Sequence, residues 1–400
     1  MKKHILQLAQ MAERPSRTII GLMSGTSFDG LDVALCTISG NGMSTEVIVN
    51  RFETIPYDNS FREKLKKVFS KKDAWLEDVC MLNPFIAAKH AQIIIDCLGR
   101  WKISKENVDL VASHGQTIFH APKSLHKNEE YGNATLQIGD GDHLAVLTGI
   151  ITVSDFRQKH IAAGGEGAPL AVYGDYFLFS SENECRIMLN IGGISNFTFL
   201  PAGKNARGVF SSDIGPGNTL MDAVVRKHFP GQHYDRNGIF AGNGKVNNLL
   251  LEALKSHQFF AAGFPKTTGP ELFNLEYLLA AVDKTTNQHM TPEDILATLN
   301  MLTAETIAGA IKSCMTNAVK CVVYSSGGGM HNPVLMHNVR ELLPGVSILT
   351  TETLKINPDA KEAVLFAILA NECVAGGELS LGQNNTKIPS VSMGKISFPA

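Results

Sequence analysis

Short apolar runs broken by glycine-rich polar turns dominate the chain. The first, Thr18–Met23, reads as a buried strand ending in a Gly/Ser/Thr turn. Apolar positions resume over Leu31–Thr37, and Thr45–Thr54 is rich in Val, Ile and Phe, which predicts three consecutive antiparallel strands. Helical periods follow at Phe61–Phe69 and from Leu76 to Arg100. Val108–Ala112 then predicts a strand opening into the polar loop Ser113-His114-Gly115-Gln116-Thr117, where α/β sheets commonly place ligand groups. The second half begins the same way: Arg186–Ile191 is an apolar strand, Gly192-Gly193 a turn, and Phe197–Leu200 a second apolar strand. The two copies of strand, glycine turn, strand start about 170 residues apart, the spacing of duplicated domains rather than of a short solenoid repeat. Later, Val322–Ser325 runs into Ser326-Gly327-Gly328-Gly329, a helix is predicted over Pro333–Leu343, and a strand at Val346–Thr350 precedes a closing helix over Asp359–Val374. The pattern predicts an α/β protein with an N-terminal extension at 1–17, a first lobe at 18–165 and a second lobe at 166–400 that includes the nucleotide site. The boundary is expected near Gly164–Ser181.

Composition narrows the function classes. The chain has 400 residues, 44% of them hydrophobic and 18% charged, enough for two cores. A formal net charge of −2 leaves no global basic field for nucleic acid or an anionic membrane, so any phosphate must be bound locally. No apolar run approaches the roughly 20 residues needed to span a bilayer. The segment Met1–Ala12 carries two glutamines in its apolar stretch and is followed by Glu13 and Arg14, so it reads as a short surface helix or frayed tail rather than a signal peptide. The seven cysteines are scattered and never form a C-x-x-C pair, which predicts reduced, packed side chains rather than a zinc site or disulfide framework.

Three glycine elements carry candidate chemistry. In Gly25-Thr26-Ser27-Phe28-Asp29-Gly30 the backbone can bend closely around an anion, Thr26 and Ser27 can donate hydroxyl hydrogen bonds, and Asp29 can hold Mg²⁺ directly or through water. An ordinary hairpin with an Asp-Gly turn reads equally well from that segment alone. The Gly192-Gly193 turn tilts the balance, because two such turns facing each other make a phosphate clamp. The third element, Gly327-Gly328-Gly329 ahead of a Pro-started helix, lets a flat ring or ribose lie against backbone. No Walker A or Rossmann fingerprint occurs.

Set in order, Gly21-Leu22-Met23-Ser24-Gly25-Thr26-Ser27-x-Asp29-Gly30-x-Asp32, Ser113-His114-Gly115-Gln116-Thr117, Leu136-Gln137-Ile138-Gly139, Asp155-Phe156-Arg157 and Gly164-Gly165-Glu166-Gly167-Ala168-Pro169-Leu170 resemble the anhydro-N-acetylmuramic acid kinases. So do Asn190–Asn196, Asp213-x-Gly215-Pro216-Gly217-Asn218, Pro265-Lys266-Thr267-Thr268-Gly269, Gly327-Gly328-Gly329 and Lys361-Glu362-Ala363. The resemblance runs from Thr18 to Gly376. It implies a two-lobed actin-like ATPase fold, a duplicated ribonuclease H-like architecture with an interdomain cleft. It also implies a cytoplasmic, ATP- and Mg²⁺-dependent sugar kinase that opens the 1,6-anhydro bridge of its amino sugar with water and phosphorylates the freed 6-oxygen, in cell-wall recycling. By motif match Asp213 is the base that takes the water's proton. Gly25, Thr26, Ser27, Asp29, Gly30, Gly192, Gly193, Gly215, Gly217, Asn218 and Gly327–Gly329 fall to the nucleotide and its metal, and His114, Gln116, Arg157 and Glu362 to the sugar. A guanidinium suits the lactyl carboxylate because its forked donors make paired hydrogen bonds.

Each role has a structural counterpart. Asp213 also reads as the N-cap of a helix beginning near Pro216, and Glu362 as a solvated residue in a first helical turn. Two positions depart from the family pattern: Glu166 stands where many relatives have Gln, and Ala171-Val172-Tyr173-Gly174-Asp175 replaces a Val-Pro-x-Phe-His stretch. A kinase for another anhydro-sugar, such as levoglucosan, and a non-catalytic sugar sensor on the same fold both stay open, as does a homodimer.

Overall fold

A computed structural model of the chain describes residues 2–168, 170–285, 290–315, 320–354, 357–376, 381 and 392–400. Pro169 of the Gly164–Leu170 motif and much of the tail after Gly377 lie outside the described residues. Internal contacts divide the chain into two units, Met1–Phe179 with Ile356–Ala400, and Ser180–Lys355.

The first unit holds β1 (Ser16–Ser24), β2 (Gly30–Ser39), β3 (Glu46–Pro56), β4 (Leu110–Ser113), β5 (Gln116–Ala121), β6 (Ala134–Ile138) and β7 (Thr152–Ser154). The second holds β8 (Cys185–Ile191), β9 (Ile194–Leu200), β10 (Phe210–Pro216), β11 (Cys321–Ser326) and β12 (Ser347–Thr350), and the chain returns to the first unit for β13 (Lys395–Ser397). The main sheets run β13-β7-β4-β1-β2-β3 and β10-β9-β8-β11-β12, and β5 and β6 form a separate hairpin. With β13 set aside, both sheets place their strands in the order third, second, first, fourth, fifth. In each, the first three are antiparallel and the last two run parallel to the first. This is the duplicated ribonuclease H-like pattern. The two glycine turns seen in the sequence occupy the same place in each copy, between β1 and β2 and between β8 and β9.

The division differs from the lobes expected at 18–165 and 166–400. The helix Lys361–Ala375 has every residue from Ala363 to Asn371 buried and packs on β1 and β2. At Gly21 of β1 a Cβ would come within 1.9 Å of the Ala363 carbonyl oxygen, so glycine is what lets helix and strand approach. Periodicity identified this helix but not the sheet it covers. Residues 1–17 are likewise part of the first unit. Met11 of the helix Lys2–Glu13 is fully buried, and the Arg17 guanidinium donates to Asn371 Oδ1 at 2.6 Å, the Arg14 carbonyl at 2.6 Å and the Gly40 carbonyl at 2.7 Å.

One cysteine expectation is corrected. Cys185 and Cys321 are register partners on the parallel strands β8 and β11, and they are joined by a disulfide across a sequence separation of 136 residues. Spacing along the chain carries no signal for such a pair, because only strand register brings it together. Five cysteines are free, with Cys36 and Cys97 buried.

Candidate active site

In the second unit Asp213 sits within β10, and the helix that follows begins only at Thr219, with Asn218 at its N-cap. The capping role is therefore excluded by position. A register shift between Asp213 and Gly215 interrupts the pairing of β10 with β9, the kind of irregularity that re-aims a side chain at a strand end. The Asp213 backbone N–H donates to the Lys266 carbonyl at 2.9 Å, and its Oδ2 accepts the Thr268 N–H at 2.8 Å. The distant Pro265–Gly269 motif is thus the cradle of this aspartate. Partial burial raises the Asp213 proton affinity from its ordinary value, the Thr268 hydrogen bond opposes the shift, and repulsion from Glu271 adds to it. Oδ1 has no hydrogen-bond partner among the described residues, so one oxygen is positioned by the fold and the other is open to a ligand.

The predicted nucleotide glycines separate into two kinds. At Gly217 a Cβ would lie 2.3 Å from the Gly192 carbonyl oxygen, at Gly30 2.5 Å from the Ile55 carbonyl oxygen, and at Gly329 2.2 Å from Ile191 Cγ2. Gly327 has φ +84° and a Cβ there would meet Asn190 Oδ1 at 2.6 Å. These four are required by the protein's own packing. Gly25 and Gly193 have no atom nearer than 3.8 Å to a built Cβ, Gly192 none nearer than 3.6 Å, and Gly328 none within 4 Å. At these positions the fold has room for a side chain. The Gly192-Gly193 carbonyls are also spoken for, since they accept the N–H groups of Gly217, Asn218 and Thr219 at 2.8, 2.9 and 3.1 Å.

Asn218 and Gly328, predicted from separate motifs, line one cavity of about 680 Å³ together with Met221, Asp222, Tyr234 and Asn332. Asn332 also caps the helix Pro333–Leu342 through the Leu335 N–H. Asp222 lies outside the sequence motifs. It stands one helical turn after Asn218, on the same face, and that spacing was the available signal. Burial pushes its carboxyl up to about 6, with Arg226 opposing and Asp235 reinforcing. Gly215 does not line this cavity; a Cβ there would meet Phe260 at 3.0 Å.

In the first unit a chain of buried polar groups supports the first glycine turn. Tyr57 Oη contacts His90 Nε2 at 2.8 Å and donates to Ser24 Oγ at 2.9 Å, Ser24 Oγ donates to Gln116 Oε1 at 2.6 Å, and Gln116 Nε2 donates to the Gly25 carbonyl at 3.2 Å. Gln116 is 1% exposed, so its amide is committed to holding the turn. His114 is similarly engaged. Its Nδ1 lies 3.2 Å from the Ser24 carbonyl, which fixes the proton there, and its Nε2 then accepts from Arg157 Nη2 at 3.0 Å and Gln137 Nε2 at 3.0 Å. Burial, with Arg157 adding, pushes the imidazole down to about 3, so it is neutral at physiological pH.

Arg157 donates Nη1–H to the Gly167 carbonyl at 2.6 Å, while its buried Nε has no hydrogen-bond partner in the protein. The Gly164–Gly167 turn therefore wraps this guanidinium: Gly167 has φ +82°, and its N–H donates to His160 Nδ1 at 3.0 Å. Burial lowers the Arg157 pKa to about 10 and the charge of Glu362 opposes the shift, which leaves the group cationic at neutral pH. Glu362, in the first turn of Lys361–Ala375, has its proton affinity raised by desolvation, with Lys361 opposing and Asp32 reinforcing. The departing stretch Ala171–Asp175 opens the helix Ala171–Phe179, in which Asp175 is 3% exposed and pairs with Lys361 Nζ at 2.6 Å, one residue from Glu362.

Thr26 and Ser27 are exposed at the turn, and the Asp29 side chain is 74% exposed with Arg62 at 3.5 Å as its ion-pair partner. A Mg²⁺ ion that arrives with phosphates needs only one or two protein carboxylates, and Asp29 fits that demand. No group of three His, Cys, Asp or Glu side chains placed to hold a metal occurs among the described residues.

Residues 17–395 match the family model described as anhydro-N-acetylmuramic acid kinase. The chain belongs to that family. The match continues past Gly376, where the sequence motifs ended, and reaches β13. A relative from Pseudoalteromonas atlantica named anhydro-N-acetylmuramic acid kinase is 56% identical over 400 residues, covering 100% of both chains. One of the same name from Caldanaerobacter subterraneus subsp. tengcongensis is 37% identical over 394 residues, covering 98% of this chain and 100% of its own. Family membership makes the chain a sugar kinase. Among solved structures, the activator of 2-hydroxyisocaproyl-CoA dehydratase from Clostridium difficile with bound ADPNP aligns with a TM-score of 0.38 at 10% identity, covering 89% of this chain and 94% of that one. No helix among the described residues is long and apolar enough to cross a membrane.

Proposed function

We propose that the protein hydrolytically opens 1,6-anhydro-N-acetylmuramic acid and phosphorylates its 6-oxygen from ATP in the cytoplasm, with Asp213 as the general base. The observation that carries this reading is the Asp213 carboxylate, which has one oxygen fixed by the Thr268 N–H, the other unpartnered, and a raised proton affinity. A general base must be held in place and gains proton affinity from burial, and the Thr268 N–H and the partly buried site supply both for Asp213. In the reaction a water oxygen bonds to the anomeric carbon as its proton passes to Asp213. The bond from that carbon to the bridging oxygen breaks, and the freed 6-oxygen bonds to the γ-phosphorus as ADP leaves. Mg²⁺, when bound, supplies neutralisation of phosphate charge, and Asp29 is the residue proposed to hold it.

Arg157 is the proposed partner of the lactyl carboxylate, as a guanidinium that Gly167 and His114 hold in place and that stays cationic at neutral pH. His114 and Gln116, whose polar atoms are engaged within the protein, serve as supports for Arg157 and for the Gly25 turn. The cavity at Asn218 and Gly328 is the proposed seat of the nucleoside.

Arg157→Met is expected to raise KM for the anhydro-muramic sugar by about tenfold or more, as when one partner of a buried charge pair is truncated. Levoglucosan has no lactyl group, so its turnover should change little. ADP release measured for both sugars with both proteins checks this, and equal losses on the two would remove Arg157 from the acid-binding role. If the wild type turns over levoglucosan but not the muramic sugar, the rival substrate reading replaces this one.

A further inference from the structure

We propose that the C-terminal strand β13 is a positioning element for the sugar-acid site, with Lys395 acting through Asp155 to set the direction of the Arg157 guanidinium. The inference rests on the reading of Arg157 given above.

Strand β13 adds to the edge of the main sheet by antiparallel pairing with β7, in the register Lys395 to Ser154, Ile396 to Val153 and Ser397 to Thr152. Lys395 is thereby placed opposite the last residue of β7, one position before Asp155. Its Nζ lies 2.5 Å from Asp155 Oδ2. Asp155 is the N-cap residue of the short helix Phe156–Ala162, with φ 53° and ψ 52°, a left-handed conformation that aspartate tolerates better than most residues. The usual reward for aspartate at such a position is a hydrogen bond from its side chain to the first turn, and none is made here. The carboxylate is turned over to Lys395 instead. Arg157 follows two residues later, so the backbone angle at Asp155 fixes where its guanidinium starts.

The strand is anchored at several points. At Gly394, with φ +105°, a Cβ would come within 2.5 Å of Val153 Cγ1, so the chain enters β13 pressed against β7. Met393 is buried, and the Phe398 ring stacks on His4 of the N-terminal helix at 5.9 Å between centroids. Lys395, Asp155 and His114 also line one cavity of about 280 Å³. That cavity leaves a rival in which Lys395 touches the ligand itself, and the two differ in how their effects combine.

The test measures steady-state kinetics of the full chain with Lys395→Met, Lys395→Arg, Asp155→Asn and the Met/Asn double variant, on the anhydro-muramic sugar and on levoglucosan. A positioning role predicts that Lys395→Met raises KM for the muramic sugar about fivefold, with kcat and the KM for ATP changed less than about twofold. The effect is modest because the Lys395 side chain is 62% exposed. Lys395→Arg should restore most of the loss, the double variant should be no worse than Asp155→Asn alone, and levoglucosan should be unaffected. Additive losses in the double variant would make Lys395 a direct ligand contact and overturn the proposal. So would an unchanged KM in Lys395→Met, or a parallel rise in the KM for ATP, which marks general destabilisation. The Arg157→Met variant run alongside separates the two layers. If it leaves the muramic-sugar KM unchanged, the acid-binding reading has failed rather than the role of β13.

Discussion

Asp213→Asn is expected to lower kcat by about 10²–10⁴-fold, because a neutral amide cannot accept the attacking water's proton. Binding of ATP and of the anhydro-sugar should persist within about tenfold, as when an interaction made only in the transition state is removed. The amide oxygen can still accept the Thr268 N–H, so the local fold has no reason to change. Stability follows from the direction of the pKa shift. The fold raises the Asp213 pKa, so the ionised side chain disfavours the folded state. That penalty is absent below the unfolded carboxylate range, where both states are protonated, and is complete above the folded value. Asp213→Asn should therefore melt no lower than wild type at neutral pH. In the wild type, kcat/KM should fall as the pH drops through the raised Asp213 value. A variant within a few-fold of normal turnover would remove Asp213 from the chemistry.

Gly193→Val and Gly25→Val are expected to weaken ATP binding by at least about tenfold while leaving the melting temperature nearly unchanged, because the nearest atom to either built Cβ is 3.8 Å away. Gly217→Val is the contrasting control. Its Cβ would meet the Gly192 carbonyl oxygen at 2.3 Å, so the cost should fall on folding, about 1–3 kcal/mol or more. Calorimetric titration of nucleotide with thermal denaturation of each variant distinguishes these cases. Normal nucleotide affinity in both open-turn variants would reduce the turns to ordinary hairpins.

The repeat was legible in the sequence because buried strands flanking a glycine turn make a local pattern, and both copies fall where Thr18–Met23 and Arg186–Ile191 placed them. What the pattern left out depends on packing between distant segments. The pairing of Cys185 with Cys321 and the attachment of Lys361–Ala375 to the first sheet both arise from register or face contacts that no local window contains. The same holds at the site. The Asp213 and Pro265–Gly269 motifs are separate in sequence, and only the backbone hydrogen bonds between them give the second a purpose. His114 reads as a ligand residue from its loop, yet its two ring nitrogens are engaged by Ser24, Arg157 and Gln137. A loop motif cannot distinguish a histidine left open to a ligand from one whose ring is committed to neighbouring groups of the protein.

In the proposed reaction water and a phosphoryl group are added to the anhydro-sugar in one turnover, with Asp213 taking the proton. The most direct measurement incubates wild-type protein with ATP, Mg²⁺ and 1,6-anhydro-N-acetylmuramic acid and follows ADP release together with the mass of the sugar product. One ADP should appear per product, the sugar should be heavier by one water and one phosphoryl group, and both signals should be lost in Asp213→Asn. A product carrying phosphate without water, or ADP released at the same rate without the sugar, would contradict it.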